Sequence, residues 1–520
     1  MKLSMFKKAA LVPALLFPFA SMSQGLTFNP QNYTVQEIAV NGKQMKVRAY
    51  EHVVYVAKPV DTVYQQMNIY IPEAYFNKGS INGYTAQTAP IFFPNQVGGY
   101  MPGRPGTAIN AGRGPGPGGP AGMPPGGMPA GGMPPGGPGS NMGPGGNRVS
   151  TIAAALLNGY VVASPGARGR PTKDEKGIYT GKAPAAIVDL KAAVRYLKFN
   201  DKLMPGDASK IISNGTSAGG ALSALLGATG NNKDYEPYLK AIGAADASDD
   251  IFAVSAYCPI TNLDHADMAY EWQFNSVNTY KKINISMLDY KVQRTETAGE
   301  LSSKEQVVSA QLKVLFPAYV NSLQLKGKQG QLLQLDKDGN GSFKNWVKSY
   351  VIASAQKVLD SGKDLSALKW LTITGGKVTG LDFDGYVHYM ERMKTPPAFD
   401  ALNLSTGENQ LFGTATVDKA HFTKFSADNS AVKAVTADAI VVKMMNPMDY
   451  IGRADTKTSA HWRIRHGTKD KDTGLAVSVM LATLLQNKGY DVNLELPWDR
   501  PHSGDYDQNE LFSWIDGISK

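Results

Sequence analysis

A serine between two glycines, in the run Gly215-Thr-Ser217-Ala-Gly219, is the clearest chemical feature of this sequence. A short apolar run precedes it, and a small, apolar segment follows at residues 218–228, a pattern that predicts a strand, a sharp turn and a helix. The turn presents the serine hydroxyl as a nucleophile, and the glycines leave room for the crowded backbone. Such a motif also arises by chance in a chain with 54 glycines. Its position between a strand and a helix favours Ser217 as a catalytic nucleophile.

A nucleophilic serine needs a base, and the base needs an acid that orients it. When the serine lies on a turn of this kind, the acid and then the histidine follow it in the chain, which favours His502 among the seven histidines. His502 lies in the loop after a predicted final strand. We expect the acid in the loop after the preceding predicted strand, where Asp470 completes a His-Gly-x-x-Asp turn. Asp472 in the same loop is the alternative.

An ester hydrolase also needs backbone N–H groups that stabilise the oxyanion of the transition state. Ala218, directly after the serine, is predicted to supply one of them. The apolar run at residues 90–94 is typical of a buried strand, and it leads into the turn that contains Gly98 and Gly99. We expect one of these two glycines to supply the second N–H, although a two-glycine turn by itself is equally typical of an ordinary loop.

Four segments of the sequence together resemble those of the bacterial tannases, which are galloyl-ester hydrolases of the α/β-hydrolase superfamily. These segments are residues 214–223, residues 255–264, Asp267-Met-Ala-Tyr-Glu-Trp272 and Pro501-His-Ser-Gly-Asp-Tyr-Asp507. The resemblance extends from about residue 50 to the C-terminus, except for a Pro/Gly-rich insert. It implies a lid that interrupts the hydrolase core. It also implies that the hydroxyls of the galloyl ring are bound by Lys394, Glu408 and Asp472.

The sequence and this resemblance together predict a serine esterase that releases gallic acid from tannins and needs no metal or other cofactor. A feruloyl esterase or another aryl esterase, with the same triad and a less polar acyl pocket, is the nearest alternative. A binding protein on an inactive hydrolase scaffold is a second alternative, which the complete set of triad residues disfavours. The expected partner is a small phenolic ester.

Strand and helix patterns around these residues predict an α/β-hydrolase fold with a mostly parallel central sheet flanked by helices. The predicted elements are a β-rich opening at 27–71, helices at 152–157 and 184–197, and strands at 160–164, 442–445, 461–465 and 492–496. The core therefore comprises residues 24–263 and 440–520. Residues 264–439 between its two parts are predicted to form a mainly helical lid domain, with helical patterns at 307–323 and 343–359.

Two segments are predicted to lie outside the packed domain. Residues 1–23 combine three lysines with an apolar stretch too short to span a bilayer, which indicates a cleaved signal peptide and export to the periplasm or the cell exterior. No later segment is apolar enough to be a membrane span. Residues 103–148 are rich in Pro, Gly and Met and nearly uncharged, so we expect a disordered insert.

The charge and the cysteine content argue against nucleic-acid binding and an intramolecular disulfide, and one loop motif leaves calcium binding open. The net charge is +9, or +6 without the lysines of residues 1–23, and it is spread along the chain, so nucleic acid is not an expected partner. Cys258 is the only cysteine, which excludes an intramolecular disulfide and is typical of a small buried side chain. Residues 336–342 match the first half of a calcium loop, but Val347 stands where a bidentate Glu is required. A polar turn before a helix is the alternative.

Overall fold

The structure is a computed structural model of the chain, and it describes residues 25–40, 42–109, 150–288 and 291–520. The predicted signal peptide at residues 1–23 and most of the predicted insert lie outside the described residues.

The first part of the core follows the predicted order of strands and helices. Its strands are β1 (Thr34–Val40), β2 (Lys43–Val54), β3 (Gln66–Pro72), β4 (Pro90–Pro94), β5 (Val161–Pro165), β6 (Asp207–Thr216) and β7 (Ala253–Tyr257). Its helices are α1 (Thr151–Leu157), α2 (Ala185–Phe199), α3 (Ala218–Ala228) and α4 (Glu236–Ala241). Helix α5 (Leu263–Phe274) begins at the end of this part and continues into the segment predicted as a lid. The predicted β-rich opening, the strand at 160–164 and the two helices at 152–157 and 184–197 are confirmed.

The segment predicted as a lid contains helices and two hairpins. The first hairpin is β8 (Thr279–Leu288) with β9 (Lys291–Glu300), and the second is β10 (Leu371–Thr374) with β11 (Lys377–Leu381). The helices are α6 (Ser303–Lys313), α7 (Phe316–Ser322), α8 (Ser342–Asp360), α9 (Phe383–Met390), α10 (Gly407–Leu411), α11 (Lys424–Asp428) and α12 (Ala439–Met444). The helical patterns predicted at 307–323 and 343–359 are thus confirmed, with a break between α6 and α7.

The last part of the chain returns to the core with β12 (His461–Arg465), α13 (Leu475–Asn487), β13 (Asp491–Glu495) and α14 (Gln508–Ser519). Nine of the described strands form one sheet in the order β1-β2-β3-β5-β4-β6-β7-β12-β13. Strands β1, β2, β3 and β5 pair antiparallel, and the pairs from β5 through β13 are parallel. Every residue of β4 and β7 is buried, as expected for central parallel strands covered on both faces. The predicted sheet flanked by helices is confirmed.

Residues 442–445 do not form the predicted strand. They belong largely to α12, whose first turn is capped by the Asp438 side chain, which accepts a hydrogen bond from the N–H of Ile440. In the sheet, β7 pairs directly with β12, so no space exists between them for another strand. A run of four apolar residues does not distinguish a strand from a helical turn, and this tertiary pairing decides the outcome.

The first residues of the predicted insert are part of the packed core. Gly103 pairs with Ala167 through an antiparallel bridge, and Ala108 is buried. The N–H of Gly106 donates to Ser164 Oγ at 3.0 Å, and its carbonyl accepts from Asn68 Nδ2 at 3.1 Å. The segment from 103 to 109 is therefore ordered structure beside β5, contrary to the predicted start of the insert.

Candidate active site

Ser217 lies at the turn between β6 and α3, with a strained backbone conformation of φ 62° and ψ −122°. A Cβ atom on Gly215 would lie 2.3 Å from the carbonyl oxygen of Gly219, so only glycine fits there. A Cβ on Gly219 would lie 2.7 Å from the carbonyl oxygen of Val97. The close approach of three backbone segments explains the two glycines of the motif. It places a partly exposed serine at the carboxyl end of the central strand.

His502 is hydrogen-bonded to Asp470, and it is the carboxylate of this pair that is fully buried. The Nδ1 of His502 lies 2.8 Å from Oδ2 of Asp470, whose side chain is fully buried. Burial alone would raise the pKa of Asp470, but the charges of His502 and His466 together with the hydrogen bonds from His502 and from the N–H of Asp472 lower it to about 2. Burial would lower the pKa of His502, but the nearby Asp470, Cys258 and Asp472, together with the hydrogen bond to Asp470, raise it well above its usual value. Asp470 is therefore an ionised acceptor that fixes the orientation of the imidazole.

Asp472 lies close to the same histidine but in a different role. Its Oδ2 is 3.7 Å from His502 Nδ1, beyond hydrogen-bond distance, and its side chain is 25% exposed. Its backbone N–H donates to Oδ1 of Asp470 at 2.9 Å. The geometry thus favours Asp470 over Asp472 as the acid that orients the histidine.

The loop that carries His502 is attached to the central strands by two carboxylates. Asp505 accepts a hydrogen bond from Asn214 Nδ2 at 3.0 Å, on the strand that leads to Ser217. Asp507 accepts from the Tyr257 hydroxyl at 2.6 Å and pairs with the guanidinium of Arg463. These contacts join three neighbouring strands to the loop, and they explain why the Pro501 to Asp507 run contains two aspartates in addition to the histidine.

The two predicted sources of oxyanion N–H groups are the start of α3 and the loop after β4, and these two segments are in direct contact. Ala218 is the first residue of α3, so its N–H lies at the helix N-terminus, where backbone donors have no helical acceptor. The loop after β4 is fastened to the same turn by Asn95 Nδ2, which donates to the Gly219 carbonyl at 2.9 Å. Gly98 and Gly99 follow in this loop and are exposed. Gly99 adopts a φ of +55°.

The three residues that the family resemblance implies for ring binding lie on three separate segments. Lys394 is on a loop of the segment predicted as a lid, Glu408 is in helix α10, and Asp472 is in the loop between β12 and α13, here called the acid loop. Lys394 Nζ is 3.9 Å from Oδ1 of Asp472, so these two are brought together next to His502. Glu408 is in the first turn of α10, where a Cβ on the neighbouring Gly407 would lie 3.0 Å from Cζ of Arg170. Arg170 in turn donates from Nε to the Gly99 carbonyl at 3.0 Å. Glu408 is therefore on the side of the oxyanion loop.

Several side chains at the site escaped the sequence reasoning because their contacts are distant in sequence. Cys258 is buried as predicted, but its Sγ is also 4.0 Å from His502 Nε2. His466 is fully buried, accepts or donates at Nδ1 with Ser478 Oγ at 2.9 Å, and lies 4.0 Å from Asp470. In the sequence, only the His466-Gly467 pair at the start of the His-Gly-x-x-Asp turn indicated that His466 lies near the site.

The residues of the calcium-like motif are largely occupied by protein contacts. Asp336 Oδ1 accepts the N–H groups of Asp338 and Asn340, each at 2.9 Å. The ammonium of Lys344 donates to Oδ1 of Asn340 at 3.0 Å, and Val347 is fully buried in the core. This arrangement favours a polar turn at the start of α8. In the described part of the chain, no helix combines the length and apolar character needed to cross a membrane.

Comparisons with known proteins find solved tannase structures that are similar to this chain over most of its length. The family model BD-FAE matches residues 139–316. The solved structure of the tannase from Fusobacterium nucleatum is 50% identical, with a TM-score of 0.84, and the match covers 95% of this chain and all of that one. The tannase from Lactobacillus plantarum is 43% identical, with a TM-score of 0.86 and coverage of 95% and 100%. A tannin acyl hydrolase solved in complex with ethyl gallate is 43% identical, with a TM-score of 0.83 and coverage of 95% and 99%. No curated protein matches the sequence.

Proposed function

This chain belongs to the family of bacterial tannases, esterases that hydrolyse galloyl esters, and we propose that it does so with Ser217, His502 and Asp470 as its catalytic triad. The observation that carries the proposal is the 2.8 Å contact between His502 and Asp470 near the strained turn of Ser217. The N–H of Ser217 donates to the Tyr257 carbonyl at 3.0 Å, and the next residue, Cys258, lies 4.0 Å from Nε2 of His502. A histidine oriented by an ionised acid next to a serine on such a turn is the arrangement that activates a hydroxyl for attack on an ester.

In the proposed reaction, Nε2 of His502 accepts the hydroxyl proton of Ser217 while the serine oxygen attacks the galloyl carbonyl. Asp470 keeps the histidine proton on Nδ1, which leaves Nε2 free to act as the base. The N–H of Ala218 and that of Gly98 or Gly99 stabilise the oxyanion. His502 then donates its proton to the leaving alcohol, and the acyl group stays on Ser217. In the second half of the reaction, His502 accepts a proton from water as the water attacks the acyl carbonyl, and it returns that proton to the Ser217 oxygen as the acid is released.

Ring recognition in this proposal depends on Lys394, Glu408 and Asp472. A galloyl ring carries three adjacent phenolic hydroxyls. Carboxylates can accept hydrogen bonds from these hydroxyls, and a cation can interact favourably with their oxygens. The 3.9 Å approach of Lys394 to Asp472, next to His502, supports this role. A site built from such groups rejects a ring without hydroxyls, because its polar side chains would be desolvated and left unpaired.

The test compares methyl gallate, methyl ferulate, methyl benzoate and p-nitrophenyl acetate. The wild type should prefer methyl gallate strongly over both other methyl esters. Alanine at Lys394, Glu408 or Asp472 should lower kcat/KM for methyl gallate at least about tenfold, roughly 1.4 kcal/mol, and spare p-nitrophenyl acetate. Unchanged selectivity in all three variants would place the ring pocket elsewhere. Preference for ferulate would indicate the alternative phenolic esterase.

Loss of fluorophosphonate labelling in Ser217→Ala, with an unchanged melting temperature, tests the nucleophile independently of the acyl group. Labelling of the variant at the wild-type rate would exclude Ser217 as the nucleophile.

We also propose that the enzyme is exported, on the basis of the signal-like pattern in residues 1–23. The test is N-terminal sequencing of protein recovered from the periplasm and the medium. Recovery of the chain in the cytoplasm with residues 1–23 intact would refute export.

A further inference from the structure

Side chains on two successive turns of helix α5 bind the segment that carries Lys394. Asp267 accepts the N–H groups of Phe399 and Asp400, at 2.7 and 3.1 Å. Four residues further along the same helix, the buried carboxylate of Glu271 pairs with the guanidinium of Arg392. The segment is therefore fixed on both sides of Lys394 by groups of one helix.

Tyr270, on the same helix and fully buried, bonds to the backbone on both sides of the proposed ring site. Its hydroxyl donates to the carbonyl of Lys471 at 3.0 Å, and Lys471 is the residue between Asp470 and Asp472. The same oxygen accepts the N–H of Lys394 at 3.1 Å and that of Met393 at 3.3 Å. A phenol has one donor and two acceptor positions, so these three contacts use its full capacity.

We propose that Tyr270 is a positioning residue for acyl-ring specificity, which holds Lys394 at its distance from Asp472. The proposal rests on the proposed function, in which these two residues bind the ring. Another link between the two segments is the ion pair of Lys471 with Glu391, whose side chains are 23% and 43% exposed. An exposed pair of this kind contributes little and tolerates movement. The buried phenol, by contrast, allows neither backbone segment to shift without leaving a polar group unpaired.

The catalytic acid has supports of its own, so the effect of Tyr270 should fall on the ring and not on the chemistry. The N–H of Asp470 donates to the Gly467 carbonyl at 3.0 Å, and that of Thr468 donates to the Pro497 carbonyl at 3.0 Å. Asp470 is also bonded to His502. None of these contacts involves Tyr270.

The test is Tyr270→Phe, with Tyr386→Phe as the matched control. Tyr386 is equally buried and donates its hydroxyl to the same loop, to the Thr468 carbonyl at 2.6 Å, but the structure records no hydrogen bond from it to Lys394. Each backbone group left without its partner lowers the stability of the fold, and Tyr270→Phe removes the partner of three such groups whereas Tyr386→Phe removes that of one. The melting temperatures of both variants are therefore measured first, and kinetic constants are compared only for folded protein.

For Tyr270→Phe we expect a fall of about tenfold in kcat/KM for methyl gallate, mainly through KM, with p-nitrophenyl acetate changed by less than about threefold. Tyr386→Phe should change both esters by similar factors. In a Lys394→Ala background, Tyr270→Phe should cause little further loss of gallate activity, because residues that act through one contact are not additive.

Equal losses for the two esters in Tyr270→Phe, or full additivity with Lys394→Ala, would overturn the positioning role. If Lys394→Ala lowers gallate activity and Tyr270→Phe does not, this inference fails while the proposed function stands. If Lys394→Ala and Asp472→Ala both leave gallate selectivity unchanged, the proposed ring site fails, and the role of Tyr270 fails with it.

Discussion

Replacing each of the two neighbouring aspartates of the acid loop by asparagine separates their roles. The side chain of Asp470 is fully buried and bonded to His502 at 2.8 Å, whereas Asp472 is 3.7 Å away and a quarter exposed. An asparagine at 470 has no charge, and its amide can turn its N–H toward Nδ1 and shift the imidazole proton to Nε2. A histidine with its proton on Nε2 cannot accept the proton of Ser217.

From this geometry we expect Asp470→Asn to lower kcat for p-nitrophenyl acetate by about 10³ to 10⁴, or roughly 4–5.5 kcal/mol. Asp472→Asn should lower it by less than about tenfold, because no hydrogen bond to the histidine is lost. Both proteins should retain the wild-type melting temperature to within a few degrees, which separates loss of chemistry from loss of fold.

The pH dependence gives an independent measure of the same geometry. In the proposed mechanism His502 must be neutral to act as the base, so kcat/KM is expected to rise with pH through the pKa of that histidine. The Asp470 and Asp472 carboxylates raise this pKa, so Asp472→Asn should move the rise in kcat/KM to lower pH. The assay is p-nitrophenyl acetate hydrolysis from about pH 4 to pH 9. A larger loss in Asp472→Asn than in Asp470→Asn, or a shift to higher pH, would refute the assignment of the acid.

Three further predictions concern the backbone around the site. Gly215→Ala should abolish ester hydrolysis, because its Cβ would lie 2.3 Å from the Gly219 carbonyl; retained activity would contradict the tight turn. Gly467→Ala should lower both activity and melting temperature, since its Cβ would meet the Arg500 carbonyl at 2.1 Å. Deletion of residues 104–109 should lower the melting temperature by several degrees through loss of the Gly106 hydrogen bonds and of buried Ala108. An unchanged melting temperature would show that this segment contributes no stability.

The local sequence was sufficient to predict elements whose signals lie within a few residues. The strand-turn-helix around Ser217 could be read from its glycines and the small apolar residues after them, because the turn needs glycine and the helix needs a close approach to the sheet. The order of strands and helices in the core followed from the periodicity of apolar residues. Both kinds of signal report the immediate surroundings of a residue.

Only the tertiary structure decided which distant residues meet. Residues 442–445 have the composition of a strand, but β12 occupies the place beside β7, and they form a helix instead. The contact of Cys258 with His502 and those of Tyr270 with Lys394 and Lys471 join residues more than a hundred positions apart. No local pattern encodes such pairs, because each depends on where the sheet and the lid segment bring separate loops together. The sequence by itself therefore predicted the strand-turn-helix at Ser217 and the core, and the packing of the lid segment against the acid loop determined the surroundings of Lys394 and Asp472.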